Sequence, residues 1–297
     1  MKDKLDFGTR WIKKRFLHYY NVFIGEPKER SVCVMEKDWD NLIILDACRA
    51  DLFEETIDLG IFDEYMRVES LGSATPEWVN ENFAVGEFKD TIYISANPYV
   101  TKYANDSFYK LVEVWKDHFN EEQGTVLPED VKKISVDAFE DDKRMIIHFM
   151  QPHYPFIETQ TRSKGWDPAE ILEEDERSDT VWNALKNGKL DRDDFWGYYK
   201  KNLSVVFPYA LTLSKELSGK TVITSDHGNL IGERIWPIPL RMYEHPQGLR
   251  HPSLISVPWA VLKDDRRTIK KGEISSIEPD DEKLKIRLQK LGYLEEV

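Results

Sequence analysis

The stretch TVITSDHGNLIGE sets Asp226 and His227 side by side behind a run of β-branched residues, with Gly228 following. A carboxylate and an imidazole at the end of a buried strand form a mixed oxygen and nitrogen donor pair. Such a pair suits Zn²⁺ or Mn²⁺ better than Mg²⁺ or Ca²⁺, because of the imidazole. Gly228 permits a tight backbone beside a ligand. A polar turn is the plainer reading of the same residues. Asp46 offers a third ligand where another apolar run, NLIIL, ends; its plainer reading is a helix N-cap. A nucleophile is available in ESLGSATPEW, residues 69–78. Pro76 fits the first turn of a helix. A hydroxyl there lies where amide N–H groups and the helix dipole favour an anion. Beside a cation, Thr75 would lose its proton more readily and attack as an alkoxide. Ser73 is the competing hydroxyl, and either one can instead be a cap.

These residues need elements that bring strand ends together. Short apolar runs predict strands at 41–45, 91–95, 145–150, 221–225 and 254–261. Helical patterns lie at 77–83, 106–120 and 193–218, the last with a kink expected at Pro208. Alternating strands and helices predict an α/β fold, with a mostly parallel central sheet covered by helices on both faces. Ligands of such sheets gather at the carboxyl ends of the strands. Four strands each deliver a polar group there: Asp46, Asn97, His153, and Asp226 with His227. Asn97 is thereby a candidate for binding substrate. Arg49 either pairs with Asp51 or faces the substrate. His148, inside a strand, reads as a satisfied core histidine.

The chain of 297 residues is read as an N-terminal segment, 1–30, and one catalytic domain, 31–297. Within the latter, 158–192 is a charged insertion, partly helical around 168–187, and 262–297 is a polar tail ending in a short helix. With 41 Lys+Arg against 54 Asp+Glu the net charge is −13, which excludes a general nucleic-acid binder. Cys33 and Cys48 are too few for a disulfide framework or a cysteine-rich zinc site, and cytoplasmic residence is expected. No apolar run approaches the ~18 residues of a membrane span. In TRWIKKRFLHYYNVFI, residues 9–24, a helix would place Trp11, Ile12, Phe16, Tyr19, Tyr20 and Phe23 on one side. Lys13, Lys14, Leu17 and His18 fall mostly on the other. Such a helix either packs on the domain or makes a peripheral contact with the inner membrane surface.

Taken in order, LIILDACR, GSATPEW, FMQPHYPF, TSDHGNLIGE and YEHPQGLRHPSLISVPW resemble the alkaline phosphatase superfamily in its sulfatase-like branch. The ending RLQKLGYL is similar to that of many sulfatase-like chains, with a minimal C-terminal extension. The resemblance implies a metal-dependent hydrolase or transferase of phosphate or sulfate esters with a covalent intermediate. Cys/Ser-x-Pro-x-Arg, the sulfatase nucleophile motif, is missing, and Ala47 stands where sulfatases have a second aspartate. Asp46, Thr75, Asp226 and His227 instead resemble the one-metal set of phosphoglycerol transferases of the lipoteichoic acid synthase type. His153 resembles the histidine that contacts the bound ester, which implies a general acid or anion ligand near the leaving group, a role that His245 or His251 could share or exchange for metal ligation. His245 in YEHP resembles a Gly-His-Pro element, with Glu244 in place of the glycine, and His251 is its alternative. The expected activity is phosphate-ester cleavage or transfer through a covalent threonine intermediate, with one divalent metal. The expected substrate is a phosphorylated or sulfated small molecule, a glycan or a lipid-linked compound. The alternatives are a sulfatase, or an inactive relative that binds a glycan or nucleotide.

Overall fold

The computed structural model describes residues 20, 30–157, 181–235, 240–262, 265–274 and 280–291. Its strands are β1 (Ser31–Val32), β2 (Asn41–Leu45), β3 (Glu64–Ser70), β4 (Phe88–Ser95) and β5 (Phe108–Glu113). There follow a small antiparallel ribbon, β6 (Phe119–Asn120) with β7 (Thr125–Val126), and then β8 (Arg144–Phe149) and β9 (Thr221–Thr224). A hairpin, β10 (Leu230–Ile235) with β11 (Leu240–Glu244), precedes β12 (Ser256–Leu262). Eight strands form one sheet in the order β1-β3-β12-β9-β2-β8-β4-β5. All run parallel except β12, which is antiparallel to both of its neighbours. Parallel strands covered on both faces must be apolar throughout. NLIIL of β2 is buried at every position, and so is TVIT of β9.

The helices are α1 (Ala50–Thr56), α2 (Thr75–Phe83), α3 (Pro98–Ala104), α4 (Val114–Asp117) and α5 (Pro128–Asp137). Further along come α6 (Val181–Lys186), α7 (Arg192–Glu216), α8 (Pro252–Ile255) and α9 (Asp281–Lys290). They cover both faces. Alternate residues of a strand point to opposite sides, and β2 obeys this. Ile43 and Leu45 join a core with Phe53 of α1, Val131 of α5 and Leu203 of α7. Leu42 and Ile44 join a second core with Trp39, Trp78 and Phe83.

Several elements depart from expectation. Residues 106–120 are not a helix: β5 pairs with the edge of β4, and only the single turn α4 follows. Phe108, Leu111, Val114 and Trp115, all buried, recur every three or four residues, which imitates a helical period. Strand β3 was not foreseen, because only Ser70 of EYMRVES is buried and no apolar run marks it. The strand expected from 254 starts at Ser256, after the turn α8. Helix α7 runs through Pro208 as one element of 25 residues. Residues 158–180, within the charged insertion, lie outside the described residues. Its later part includes α6, whose Val181, Trp182, Ala184 and Leu185 join the larger core. The 9–24 segment also lies outside them except for Tyr20, which is buried beside Leu230, Leu249 and Leu254.

Beyond β12 the chain turns under the amino edge of the sheet. Arg266 pairs with Asp40, and Arg267 donates to the carbonyl oxygens of Asp40 and Glu140 and to Asn41 Oδ1. Leu284, Leu288 and Leu291 then enter the larger core.

Candidate active site

The parallel strands bring their polar residues to one edge. Asp46 follows β2, and Asp226 with His227 follows β9. These three each turn a ligand atom to a common point, with the atoms within 4.8 Å of one another and all three residues buried. The unused atoms are occupied elsewhere. Asp226 Oδ1 accepts from the amides of Ala47 and His227, both at 2.9 Å, which leaves Oδ2 toward the cluster. His227 Nδ1 lies 2.8 Å from the Gly228 carbonyl oxygen, to which it donates, so Nε2 keeps a lone pair. Asp46 is no helix cap, since α1 begins four residues later. Burial opposes its charge, but the His148 hydrogen bond and the nearby imidazoles outweigh this and hold its carboxyl below the usual range.

Strand β3 leads to Thr75. Thr75 opens α2, and its Oγ1 lies 2.8 Å from Asp226 Oδ2 and 3.1 Å from His227 Nε2. Asn97 caps α3 through Oδ1, which accepts from the Tyr99 amide. Its Nδ2 donates to Asp46 Oδ2 at 2.6 Å and lies 3.5 Å from Thr75 Oγ1. Ser73 is turned away: its hydroxyl donates to Glu77 Oε2 at 2.8 Å and to the Pro246 carbonyl at 3.0 Å. Ser73 therefore fastens the entry to α2, and Thr75 faces the cluster. Two glycines make this geometry possible. A Cβ on Gly72 would lie 2.7 Å from Trp78 Cα, and one on Gly228 would lie 2.7 Å from Arg49 Cγ.

His245 and His153 complete the edge. The His245 ring centroid is 4.7 Å from that of His227 and 5.2 Å from that of His153. His153 Nδ1 contacts the Tyr154 carbonyl, and His245 Nδ1 lies 2.8 Å from Asn229 Oδ1. Both Nδ1 atoms are donors, so in the neutral rings Nε2 is the acceptor. Burial pushes His153 below its ordinary value of 6.5; burial and the neighbouring imidazoles push His245 well below it. Glu244 has φ +68°, a conformation that favours glycine. Glu244 thus holds a glycine-favouring conformation at the place where the resembled Gly-His-Pro element has glycine.

Two expected substrate residues have other tasks. Arg49 binds Asp51 at 2.6 Å and Glu233 at 2.7 Å, so it takes the ion-pair alternative. His251 Nδ1 accepts from the Ser253 amide and caps α8. Asn229 and Tyr93, near the cluster, escaped the sequence reading, and His148 was read only as a core residue. Asn229 orients His245, and its place two residues after His227 was the available signal. His148 Nε2 lies 3.5 Å from Asp46 Oδ2, and Tyr93 Oη lies 2.9 Å from His148 Nδ1. Polar side chains inside apolar strands were the signal there.

No family model matches the chain, and no curated protein does. Among solved structures it is similar to the integral membrane lipooligosaccharide phosphoethanolamine transferase A of Neisseria meningitidis. That similarity has TM-score 0.52 and 15% identity, and covers 75% of this chain and 47% of the other. The chain thus spans about half of that transferase. The C-terminal periplasmic domain of phosphoethanolamine transferase EptC of Campylobacter jejuni gives TM-score 0.49 and 16% identity, covering 76% and 78%. At such identities the likeness is one of fold. The chain adopts the alkaline phosphatase and sulfatase-like fold that its motifs resemble.

Proposed function

We propose that the protein is a metal-dependent enzyme that cleaves or transfers phosphate esters through a covalent intermediate on Thr75. The observation that carries this is Thr75 Oγ1 at the start of α2, 2.8 Å from Asp226 Oδ2 and 3.1 Å from His227 Nε2. Asp46, Thr75, Asp226 and His227 would hold one divalent cation, and their mixed donors fit Zn²⁺ or Mn²⁺. Bound there, the cation would supply positive charge that eases loss of the Thr75 proton and offsets charge on the phosphoryl oxygens.

The side chains divide the remaining work. Thr75 gives up its proton toward Asp226 Oδ2, its oxygen bonds to phosphorus, and the ester bond opposite breaks; the departing alkoxide takes up, through solvent, the proton that Thr75 gave up and leaves as an alcohol. Asn97 Nδ2 and the N-terminus of α2 offer positive dipoles to the phosphoryl oxygens. Water or an acceptor hydroxyl then attacks phosphorus and releases Thr75. Its proton passes to the Nε2 lone pair of His153 or His245, so these imidazoles serve as bases in this second half.

The substrate class we propose is a phosphate ester borne on a glycan or lipid. A fold neighbour is by name a lipooligosaccharide phosphoethanolamine transferase, which supports this choice. A sulfatase reading lacks its nucleophile. Cys48 is buried, and Cys33 lies next to β1, at the far edge of the sheet. We test the proposal with purified protein and Zn²⁺ or Mn²⁺, offered aryl phosphate monoesters, aryl phosphodiesters and aryl sulfates. Acid-quenched protein is then digested and searched by mass spectrometry for an adduct. Phosphate-ester cleavage with a phosphoryl adduct on Thr75 is expected. Faster cleavage of the sulfate, or an adduct on another residue, overturns it.

A further inference from the structure

Beneath the cluster lies a buried histidine to which the proposed chemistry gives no task. His148 is 0% exposed, and Trp78 packs edge-on against its ring at 6.0 Å. Its Nε2 stands 3.5 Å from Asp46 Oδ2 and 3.9 Å from Asp226 Oδ2, and has no closer acceptor among the described residues. Its Nδ1 stands 2.9 Å from the hydroxyl of Tyr93, which is also 0% exposed and belongs to the adjoining strand β4.

A neutral imidazole carries one proton, and the surroundings decide where. On Nδ1, it would point at the phenol oxygen. The phenol proton would then have no acceptor among the described residues, and the Nε2 lone pair would face two carboxylates. On Nε2, it points between the carboxylates while Nδ1 accepts the Tyr93 O–H. Only the second arrangement gives the phenol proton an acceptor, and it turns the Nε2–H rather than a lone pair toward the two carboxylates. Burial, and then the charges of Asp226 and Asp46, hold the Tyr93 phenol far above its ordinary range, so it keeps its proton to donate.

We infer that Tyr93 and His148 are a positioning pair for the cation site: Tyr93 fixes the His148 tautomer, and His148 Nε2–H holds Asp46 Oδ2. Asp46 Oδ2 also accepts from Asn97 Nδ2, and Oδ1 is left facing His227 Nε2 at 3.9 Å. The carboxylate is thereby oriented before any cation arrives. A proton donor between Asp46 and Asp226 also eases their mutual repulsion. The inference rests on the proposed role of these two aspartates as metal ligands.

Two measurements test it. The first is the ¹⁵N spectrum of the imidazoles in the metal-free wild-type protein, with His148→Gln used to assign the signal. An Nε2–H tautomer for His148 is expected, and an Nδ1–H tautomer overturns the inference. The second is Zn²⁺ affinity, by competition with a chromophoric chelator, in variants shown by circular dichroism to be folded. His148→Leu should lose ~10–100-fold and Tyr93→Phe about 10-fold, the scale for groups that orient a ligand. His148→Gln, whose amide can donate to Asp46, should recover most of the loss. Wild-type affinity in both His148→Leu and Tyr93→Phe overturns the inference while leaving the proposed function standing. A wild-type chain that binds neither Zn²⁺ nor Mn²⁺ overturns both. Should the variants not fold, the tautomer in the wild type decides.

Discussion

Thr75 and Ser73 are two residues apart, yet the structure gives them different partners. Thr75→Ala is expected to lower turnover by at least ~10³-fold, the scale for losing a nucleophile. Ser73→Ala should leave most turnover in place and cost about 1 kcal/mol of stability, as for a lost hydrogen bond. Steady-state kinetics and urea melts separate the two effects, and a dead Ser73→Ala beside an active Thr75→Ala would exchange their roles. A second expectation concerns pH. Above the ordinary histidine value of 6.5, His153 and His245 are neutral both folded and unfolded, and cost nothing. Below it the unfolded chain takes up protons that the folded chain resists, so stability falls until the lowered folded values are passed. The melting temperature of metal-free protein should therefore drop as pH falls through 6.5, and drop less in a His153→Gln/His245→Gln double variant. An equal drop in both would show that other groups govern it. The convergence of Asp46, Thr75, Asn97, Asp226 and His227 was legible in sequence because each sits at the end of a strand or the start of a helix. Arg49 and His251 were not, because a guanidinium and an imidazole serve ion pairs and caps as readily as substrates. His148 was placed in the core correctly, but a linear sequence does not show that β2 and β9 end beside it.

At the scale of elements, the turn after β9 is the most constrained. Gly228 donates its amide to the Leu254 carbonyl at 2.7 Å and packs so closely on α8 that a Cβ would collide with Ser253 O. Gly228→Ala should therefore cost about 1–3 kcal/mol, the range for overpacking. Because Gly228 adjoins His227, it should also weaken Zn²⁺ binding. A variant with unchanged melting temperature and metal affinity would show that the turn relaxes freely. The buried parallel strands were legible because a strand covered on both faces leaves a continuous apolar run. Partly exposed strands leave none. β3 carries Thr75's loop, yet its charged residues hid it, and the aromatic spacing in β5 looked helical.

For the molecule as a whole, the open question is what the first residues touch. No helix among the described residues is long and apolar enough to cross a membrane. Tyr20 is withdrawn from the aromatic side of the 9–24 segment into a pocket of leucines. With a net charge of −13 also opposing anionic lipid, we propose that the N-terminal segment packs on its own domain. Full-length protein should stay in the unbound fraction when floated with anionic liposomes, and removal of residues 1–25 should lower its melting temperature. Flotation by the full chain that is lost on this deletion, and weakened by salt, would place the segment on the membrane instead.

The one reversed strand, β12, also settles where an attachment can go. Its first residue lies near the edge where Thr75 and His245 work, and its last lies near the opposite edge, where Arg266 and Arg267 clasp Asp40 and Asn41. Seven residues at ~3.3 Å each put these edges roughly 20 Å apart. A surface tether or fluorophore joined in the 265–274 stretch would hold the molecule by its underside, with the edge that carries Thr75 and His245 turned outward and clear.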